Sequence, residues 1–83
     1  MGVSVMKIFL PGENFKNGAM ELTVLRFAQK ENKTLALLIR DDGMFITVKE
    51  LGIGESPNTW VYGNYWTSIH DALKDFDRRK KEL

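Results

Sequence analysis

Residues 60–76 constrain the fold more than any other stretch, because within them a strand pattern gives way to a helix pattern. Both tryptophans and both tyrosines of the chain lie here: Trp60, Tyr62, Tyr65 and Trp66. Residues 59–62 are typical of a short strand that ends at Gly63-Asn64, with Trp60 and Tyr62 on the same side. Tyr65 and Trp66 are then expected at the corner between strand and helix. The four rings predict either core and corner packing or an exposed platform that binds a partner.

A helix over residues 68–82 follows from the second half of this stretch. Ser68, or Thr67 beside it, is a typical N-cap, and Asp71 completes the Ser-x-x-Asp pattern of a capping box. Apolar residues recur at helical spacing and predict one buried stripe, formed by Ile69, Leu73 and Phe76 with Ala72 beside them. The charged residues expected off that stripe are Asp71, Lys74, Asp75 and Asp77. The last turn holds four cations that the helix dipole favours, Arg78, Arg79, Lys80 and Lys81.

The first half of the chain predicts two strands joined by a loop. Residues 3–10 are rich in β-branched and large apolar side chains and end at Pro11-Gly12, which predicts a first strand. Residues 13–18 predict a loop with Asn17-Gly18 as its turn. In residues 21–29 the apolar side chains switch from one face of the strand to the other after Val24. This predicts a strand with a bulge near Val24-Leu25 or burial on both faces. A helix is the alternative for this segment, because Leu22, Leu25 and Ala28 are three residues apart.

Two more strands are expected before the aromatic stretch. Residues 30–33 predict a hairpin turn, and residues 34–40 are nearly apolar on both faces, which is typical of a central strand. Residues 41–43 (Asp-Asp-Gly) predict a second tight turn. Residues 44–50 alternate, with Met44, Ile46 and Val48 expected inward and Thr47 and Lys49 outward. Phe45 is the apolar exception on the outer face.

Together these elements predict an α+β fold, an antiparallel β-meander of four to five strands with one C-terminal α-helix packed on one face. The 83 residues are expected to form a single domain, 1–83. Residues 52–57, with two glycines and a proline, predict a loop of the kind that often carries contacts. Since one helix covers only one face of a sheet, Phe45, Leu38 or Ala36 would mark an exposed apolar face, which makes a homodimer a candidate.

Composition and motifs argue against an enzyme. The chain has no cysteine, which excludes disulfides and zinc-thiolate sites, and its net charge of +1 excludes an acidic DNA mimic and a strongly basic nucleic-acid binder. His70 is expected as an exposed helix residue, and Asp41-Asp42 as turn formers. Gly52-Ile53-Gly54 does not open a helix, as a phosphate-binding loop would. We therefore expect no catalytic residue, no metal and no cofactor.

The N-terminal residues are not expected to act as a targeting signal. The apolar run at residues 3–10 is too short for a signal peptide or a membrane span, which predicts a cytoplasmic protein without a membrane partner. Residues 1–5 are a candidate extension, because Met6 could itself serve as a start.

Three segments carry a family resemblance: residues 39–45 (Ile-Arg-Asp-Asp-Gly-Met-Phe), 60–65 (Trp-Val-Tyr-Gly-Asn-Tyr) and 68–76 (Ser-Ile-His-Asp-Ala-Leu-Lys-Asp-Phe). They resemble small proteins of phages and other mobile elements, in which a β-meander ends in a Gly-x-Tyr/Phe turn and a helix with Ala-x-x-x-Phe follows. The resemblance implies that fold and no assigned activity. The chain is distantly similar to HicB-type antitoxins at Asp42-Gly43 and Ala72-Leu73. It lacks their Pro-x-x-x-Gly-Cys element, so no toxin partner is implied.

These observations favour a non-enzymatic module that binds another protein through a sheet edge or the aromatic corner, such as an accessory or inhibitor protein of a phage or mobile element. The residues expected to contact the partner are Trp60, Tyr62, Tyr65 and Trp66. Nucleic-acid binding is the alternative, in which the phosphate backbone or an acidic surface would contact Arg78, Arg79, Lys80 and Lys81. The near-zero net charge makes nucleic acid the second choice.

Overall fold

The structure, a computed structural model, describes residues 7–52 and 58–83. Within these residues it has the strands β1 (Asn14–Asn17), β2 (Met20–Lys30), β3 (Lys33–Arg40), β4 (Phe45–Lys49) and β5 (Tyr62–Trp66), followed by the helix α1 (Ile69–Lys81). The strands form one five-stranded sheet in the order β1-β2-β3-β4-β5, and every neighbouring pair is antiparallel. The predicted α+β fold, a meander with one C-terminal helix, is confirmed.

The turns of the meander lie where the sequence predicts them. β1 and β2 are joined at Gly18 and β2 and β3 at Glu31, which takes the left-handed conformation with φ 57°. β3 and β4 are joined through Gly43, whose φ of 90° is one that glycine adopts without a steric penalty. Its N–H donates to the carbonyl of Arg40 at 2.8 Å and closes the turn.

The predicted bulge in β2 is confirmed and sets the direction of its side chains. The register against β3 shifts between Val24 and Arg26, so Leu25 is the extra residue. Because of this shift, Val24 and Phe27 contact the core on one face of the sheet, while Leu25 contacts the core on the other.

The sheet is buried on both faces, and β3, at its centre, supplies side chains to both cores. The core on the face opposite the helix is called the segment-side core, because the N-terminal segment (residues 7–13) covers it. It comprises Phe9, Phe15, Leu22, Val24, Ala36, Leu38, Ile46, Val48 and Leu51. The helix-side core comprises Leu35, Leu37, Ala72 and Phe76, with Phe45 and Trp66 packed against it. The expectation that Phe45, Leu38 or Ala36 marks an exposed face is wrong. Leu38 and Ala36 are fully buried in the segment-side core, and Phe45 packs on the helix side.

The N-terminal segment (residues 7–13) covers the face opposite the helix. Lys7 donates its N–H to the carbonyl of Gly52 at 3.0 Å, and Gly12 donates to Val24 in β2 at 2.7 Å, so the segment runs across the sheet. The Phe9 ring lies beneath it, with its centroid 5.2 Å from that of Phe15.

The first strand was predicted in the wrong place. Residues 7–10 form no strand, residues 3–6 lie outside the described residues, and β1 forms where a loop was expected. The apolar run at residues 7–10 crosses the sheet and buries Phe9, while the polar Asn14–Asn17 strand is held by hairpin pairing with β2. The predicted extension at residues 1–5 and most of the predicted loop, residues 53–57, also lie outside the described residues.

The last strand begins and ends later than the sequence predicts. Gly63-Asn64 was expected to end a strand at residues 59–62, but both residues lie inside β5. A Cβ on Gly63 would lie only 2.9 Å from Nε1 of Trp60, so glycine is needed here because an indole packs over the strand. Trp60 packs against the segment-side core, and so does not share a side with Tyr62.

The helix is confirmed with its predicted cap and stripe, with two differences. The Ser68 hydroxyl accepts from the Asp71 N–H at 3.5 Å, and Ala72 and Phe76 are buried. Ile69, in the first turn of the helix, is 41 % exposed and lies at an open hollow that Leu25 and Phe45 also line. Asp75, expected off the stripe, is buried against the sheet. Within the described part of the chain, no helix has the length and apolar character needed to cross a membrane.

Candidate functional site

The strand β5 divides the predicted aromatic residues between the two faces of the sheet. Its register pairs Trp66 with Phe45 and Tyr62 with Lys49, which places both rings on the helix side. Tyr65 pairs with Ile46 on the opposite side, where Trp60 also packs. The four rings therefore do not form one continuous platform.

Exposure separates the two tyrosines from the two tryptophans. Tyr62 is 65 % exposed and Tyr65 is 52 % exposed, and Val61 beside them is 62 % exposed. Trp66 is fixed by contacts inside the protein: it packs against the helix-side core, and its Nε1 donates to the Thr47 hydroxyl at 3.2 Å. Of the predicted contact residues, Tyr62 and Tyr65 are available to a partner, and Trp60 and Trp66 mainly support the fold.

The two terminal strands of the sheet differ in character. In the part of the chain that the structure describes, β1 and β5 are the outer strands. β1 has the sequence Asn-Phe-Lys-Asn, and its only apolar side chain, Phe15, is buried. β5 has the sequence Tyr-Gly-Asn-Tyr-Trp, which contains no charge and no proline. Natural sheets usually protect an edge with charges, proline or a bulge, and β5 shows none of these within Tyr62–Trp66.

A buried polar network joins the helix to the sheet beneath this surface. Asp75 is 5 % exposed and accepts a hydrogen bond of 2.5 Å from the Thr47 hydroxyl. Arg79 donates to the same carboxylate through Nε at 2.9 Å, and Arg78 donates through Nη2 at 2.6 Å. The side-chain amide of Asn64 lies beside this ion pair, with its oxygen placed to accept from Arg79. The carboxylate is therefore satisfied on both oxygens.

The environment of Asp75 acts on its pKa in two directions. Burial raises the pKa, while the hydrogen bonds from Thr47, Arg78 and Arg79 lower it, and the net change is downward from the ordinary value. Asp75 is thus charged at neutral pH and serves as a fixed counter-ion for two arginines.

This network separates the members of the predicted basic contact site. Arg78 and Arg79 both pair with Asp75, and Arg78 Nη1 also lies 3.8 Å from Oε1 of Glu82. Lys80 and Lys81 are exposed at the end of the helix. The four cations are therefore not one free basic patch.

The other residues considered for chemistry have local roles. Asp42 forms a bidentate pair with Arg40, through Nε at 2.8 Å and Nη2 at 2.6 Å, which lowers the pKa of Asp42 to about 2. His70 is exposed on the first turn of the helix. Among residues 7–52 and 58–83, no group of three His, Asp or Glu side chains is arranged to hold a metal ion.

Sequence reasoning missed Thr47 and Asp75. The spacing of Asp75 before Arg78 and Arg79 is i, i+3 and i+4, which is the spacing of helical ion pairs and could have indicated them. Thr47 had no such signal, because it was expected to be exposed and is 2 % exposed under the helix. Both residues build the support for β5 and do not belong to its surface.

No protein-family model, no curated protein and no solved structure matches this chain. The resemblance to proteins of phages and mobile elements, and the more distant one to HicB-type antitoxins, stays a prediction. The functional interpretation therefore depends on the site itself: an uncharged outer strand with an exposed tyrosine on each face, supported from below by a buried ionic network.

Proposed function

We propose that this chain is a non-enzymatic protein-binding module that pairs β5 with an extended strand of another protein. The observation that carries the proposal is the group of exposed apolar and aromatic side chains along the β5 edge of the sheet: Val61, just before β5, and Tyr62 and Tyr65 within it. A role as an accessory or inhibitor protein of a phage or mobile element rests on the sequence resemblance alone. Action in the cytoplasm rests on the sequence alone, on an apolar run at residues 3–10 that is too short for a signal peptide and on the lack of cysteine.

The backbone of β5 supports strand addition. A terminal strand presents N–H and C=O groups that its own sheet does not satisfy, and an added strand supplies partners for them. In the described residues β5 is the last strand of the sheet and follows β4 without a register shift. An added strand would therefore meet a regular edge over residues 62–66.

The side chains of β5 support binding from both faces. Tyr62 lies on the helix side and Tyr65 on the opposite side, so a strand paired with β5 would have a ring beside it on each face. Tyrosine buries a large area at a small cost in conformational entropy and is enriched in interface hot spots. Because both rings are more than half exposed, a partner can bury them without any rearrangement of the core.

Nucleic-acid binding is the weaker candidate. It requires Arg78, Arg79, Lys80 and Lys81 to contact phosphates together, but the first two are paired with Asp75. Binding of this kind would weaken steeply as salt is raised and would be lost when Lys80 and Lys81 are changed to glutamine. Titration of labelled single- and double-stranded probes at two salt concentrations measures this directly.

Photo-crosslinking tests the proposed function. A benzophenone side chain placed at Tyr65 is expected to capture the partner in cells, whereas the same group at Lys16, exposed on the opposite terminal strand, is not. In the purified complex, hydrogen exchange should slow at residues 62–66. Tyr65→Ala should weaken binding by about tenfold or more, the effect of one hot-spot tyrosine.

Leu10→Ala is the matched control, because Leu10 is apolar and 65 % exposed on the N-terminal segment, away from β5. Circular dichroism establishes that both variants are folded. Exchange at residues 62–66 that is unchanged by the partner, or equal effects of the two variants, would refute the proposal. Sedimentation of the free protein distinguishes a second copy of this chain from a different protein as the partner.

A further inference from the structure

An open hollow of about 420 Å³ lies on the helix side of the sheet, beside the first two turns of the helix. Its walls come from β2, β3, β4 and the helix, and six of its side chains are apolar: Leu25, Leu37, Ile39, Phe45, Ile69 and Leu73. On the other flank of the helix, Asp71 and Lys74 lie beside Trp66 of β5. The hollow and the proposed docking strand are therefore on opposite flanks of the helix.

The hollow exists because one helix does not cover a five-stranded sheet. Strands are spaced by about 4.8 Å and a helix with its side chains is about 10 Å across, so a single helix spans two or three strands. Here the helix packs mainly on β3, β4 and β5. The bulge in β2 turns Leu25 to this same face of the sheet. Apolar side chains therefore line an open space where β2 meets the flank of the helix.

Arg26 is the one charged residue among the described residues that line the hollow. Each of the other three arginines of the chain pairs with Asp42 or Asp75, whereas within residues 7–52 and 58–83 Arg26 forms no ion pair. Further along the same flank of the helix, Asp77 and Lys80 carry opposite charges and lie outside the lining. The charge at the hollow is therefore that of Arg26, and a carboxylate is the group that complements it.

We propose that this hollow binds a medium-chain carboxylic acid, with the alkyl chain among the apolar side chains and the carboxylate on Arg26. Small-molecule sites are concave and mostly apolar, with volumes of about 300–1,000 Å³ and a few polar groups that orient the ligand. The stem of an arginine packs along apolar surface, and its guanidinium binds a carboxylate through two parallel hydrogen bonds. An uncharged apolar ligand would leave Arg26 without a partner, and a small anion would leave the apolar walls in water. The hollow lies apart from β5, so this inference does not rest on the proposed function.

Chemical-shift titration of the amide spectrum at pH 7 with three probes tests the site. The probes are octanoate, octanamide, which has the same chain without the charge, and acetate, which has the charge without the chain. Octanoate is expected to shift residues 25, 39, 69 and 73 and to bind about fivefold more tightly than octanamide, the effect of one partly exposed ion pair. Acetate at the same concentration is expected to leave these residues unshifted, because it buries almost no apolar surface.

Arg26→Gln should remove the preference for octanoate, and Ile69→Gln should weaken both long-chain probes without changing their ratio. Lys16→Gln is the matched control, because it removes the same charge from an exposed position on β1, outside the hollow, and should keep the preference. Circular dichroism establishes that the variants are folded. Equal binding of octanoate and octanamide, or an equal loss in Arg26→Gln and Lys16→Gln, would refute the carboxylate site. Absence of any shift with octanoate, or shifts with acetate as large as those with octanoate, would refute it as well.

Discussion

Asp75→Asn is the most informative single substitution, because it removes one charge from the network that joins the helix to the sheet and changes the shape of the side chain very little. The asparagine still offers an oxygen to the Thr47 hydroxyl, which lies 2.5 Å from the carboxylate. It leaves Arg79, whose side chain is 19 % exposed, without its charged partner. The variant therefore measures the ionic part of the network.

The contacts set the expected size of the effect. Removal of one partner from a buried ion pair costs about 3–5 kcal/mol, and the exposed Arg78 adds at most about 1 kcal/mol. The retained hydrogen bond from Thr47 offsets part of the loss. We expect a decrease of about 3 kcal/mol in the free energy of unfolding at pH 7. A domain of 83 residues has a total of about 4–12 kcal/mol, so the decrease is a large part of it.

The pH dependence gives a second, independent measurement. The pKa of Asp75 is lower in the folded protein than in the unfolded chain, where it is about 3.9. Its contribution to stability is therefore complete above the unfolded pKa and is lost as pH falls through the folded pKa. The difference between wild type and Asp75→Asn should be constant above about pH 5 and should shrink towards zero at lower pH.

Urea denaturation from pH 2 to pH 8, followed by circular dichroism, measures both quantities. Asp77→Asn is the matched control, because Asp77 is exposed on the same helix. It should change the free energy of unfolding by less than about 0.5 kcal/mol. The reasoning is refuted if the two variants have equal stability at pH 7, or if the effect of Asp75→Asn is the same at pH 2 as at pH 7.

Three further predictions concern the backbone and the segment-side core, and urea denaturation measures the free energy of unfolding in each case. Gly52→Ala should lower this free energy by about 2–3 kcal/mol, because Gly52 has φ 79° and a Cβ would lie 2.9 Å from the Phe9 ring. Gly12→Ala, at φ 91° with no atom within 4 Å of the added Cβ, should lower it by only about 1 kcal/mol, and equal losses would exclude the close contact. Phe9→Ala should lower the free energy of unfolding by about 3–5 kcal/mol because Phe9 is buried, and Leu10→Ala by less than about 0.5 kcal/mol because Leu10 is exposed. A small effect at Phe9 would show that the N-terminal segment does not cover this core. Glu31→Asn should raise the free energy of unfolding by about 0.5–1 kcal/mol, because asparagine adopts the φ of 57° at this position more readily than glutamate. An unchanged free energy of unfolding would mean that the turn is not strained.

Much of the fold could be predicted from the sequence because its signals are local. The turn at Gly43, the bulge at Leu25 and the cap at Ser68 each depend on a few neighbouring residues, and all three lie where predicted. The central position of β3 also followed from its own residues, because a strand that is apolar on both faces must be covered on both. Local chemistry therefore determined the order and type of most elements.

The errors arose where contacts between distant residues decide the structure. An apolar run such as residues 7–10 has the same pattern whether it forms a strand or covers a core, and only its contacts distinguish the two. The sequence predicts a strand end at Gly63, but this glycine lies inside β5 because it pairs with Val48, 15 positions earlier. Asp75 also accepts a hydrogen bond from Thr47, 28 positions earlier, and no helical pattern can show this contact.

One buried threonine has a consequence for how the sheet finds its alignment. Because β3 is apolar on both faces, a shift of one position along its neighbours would still bury apolar side chains, so hydrophobic burial alone does not select one alignment. Thr34, in β3, donates its hydroxyl to the carbonyl of Leu51, just after β4, at 2.9 Å. A shifted β3 would leave this buried hydroxyl without its acceptor, at a cost of about 1–3 kcal/mol. The Thr34 hydroxyl therefore favours a single alignment of β3 with β4.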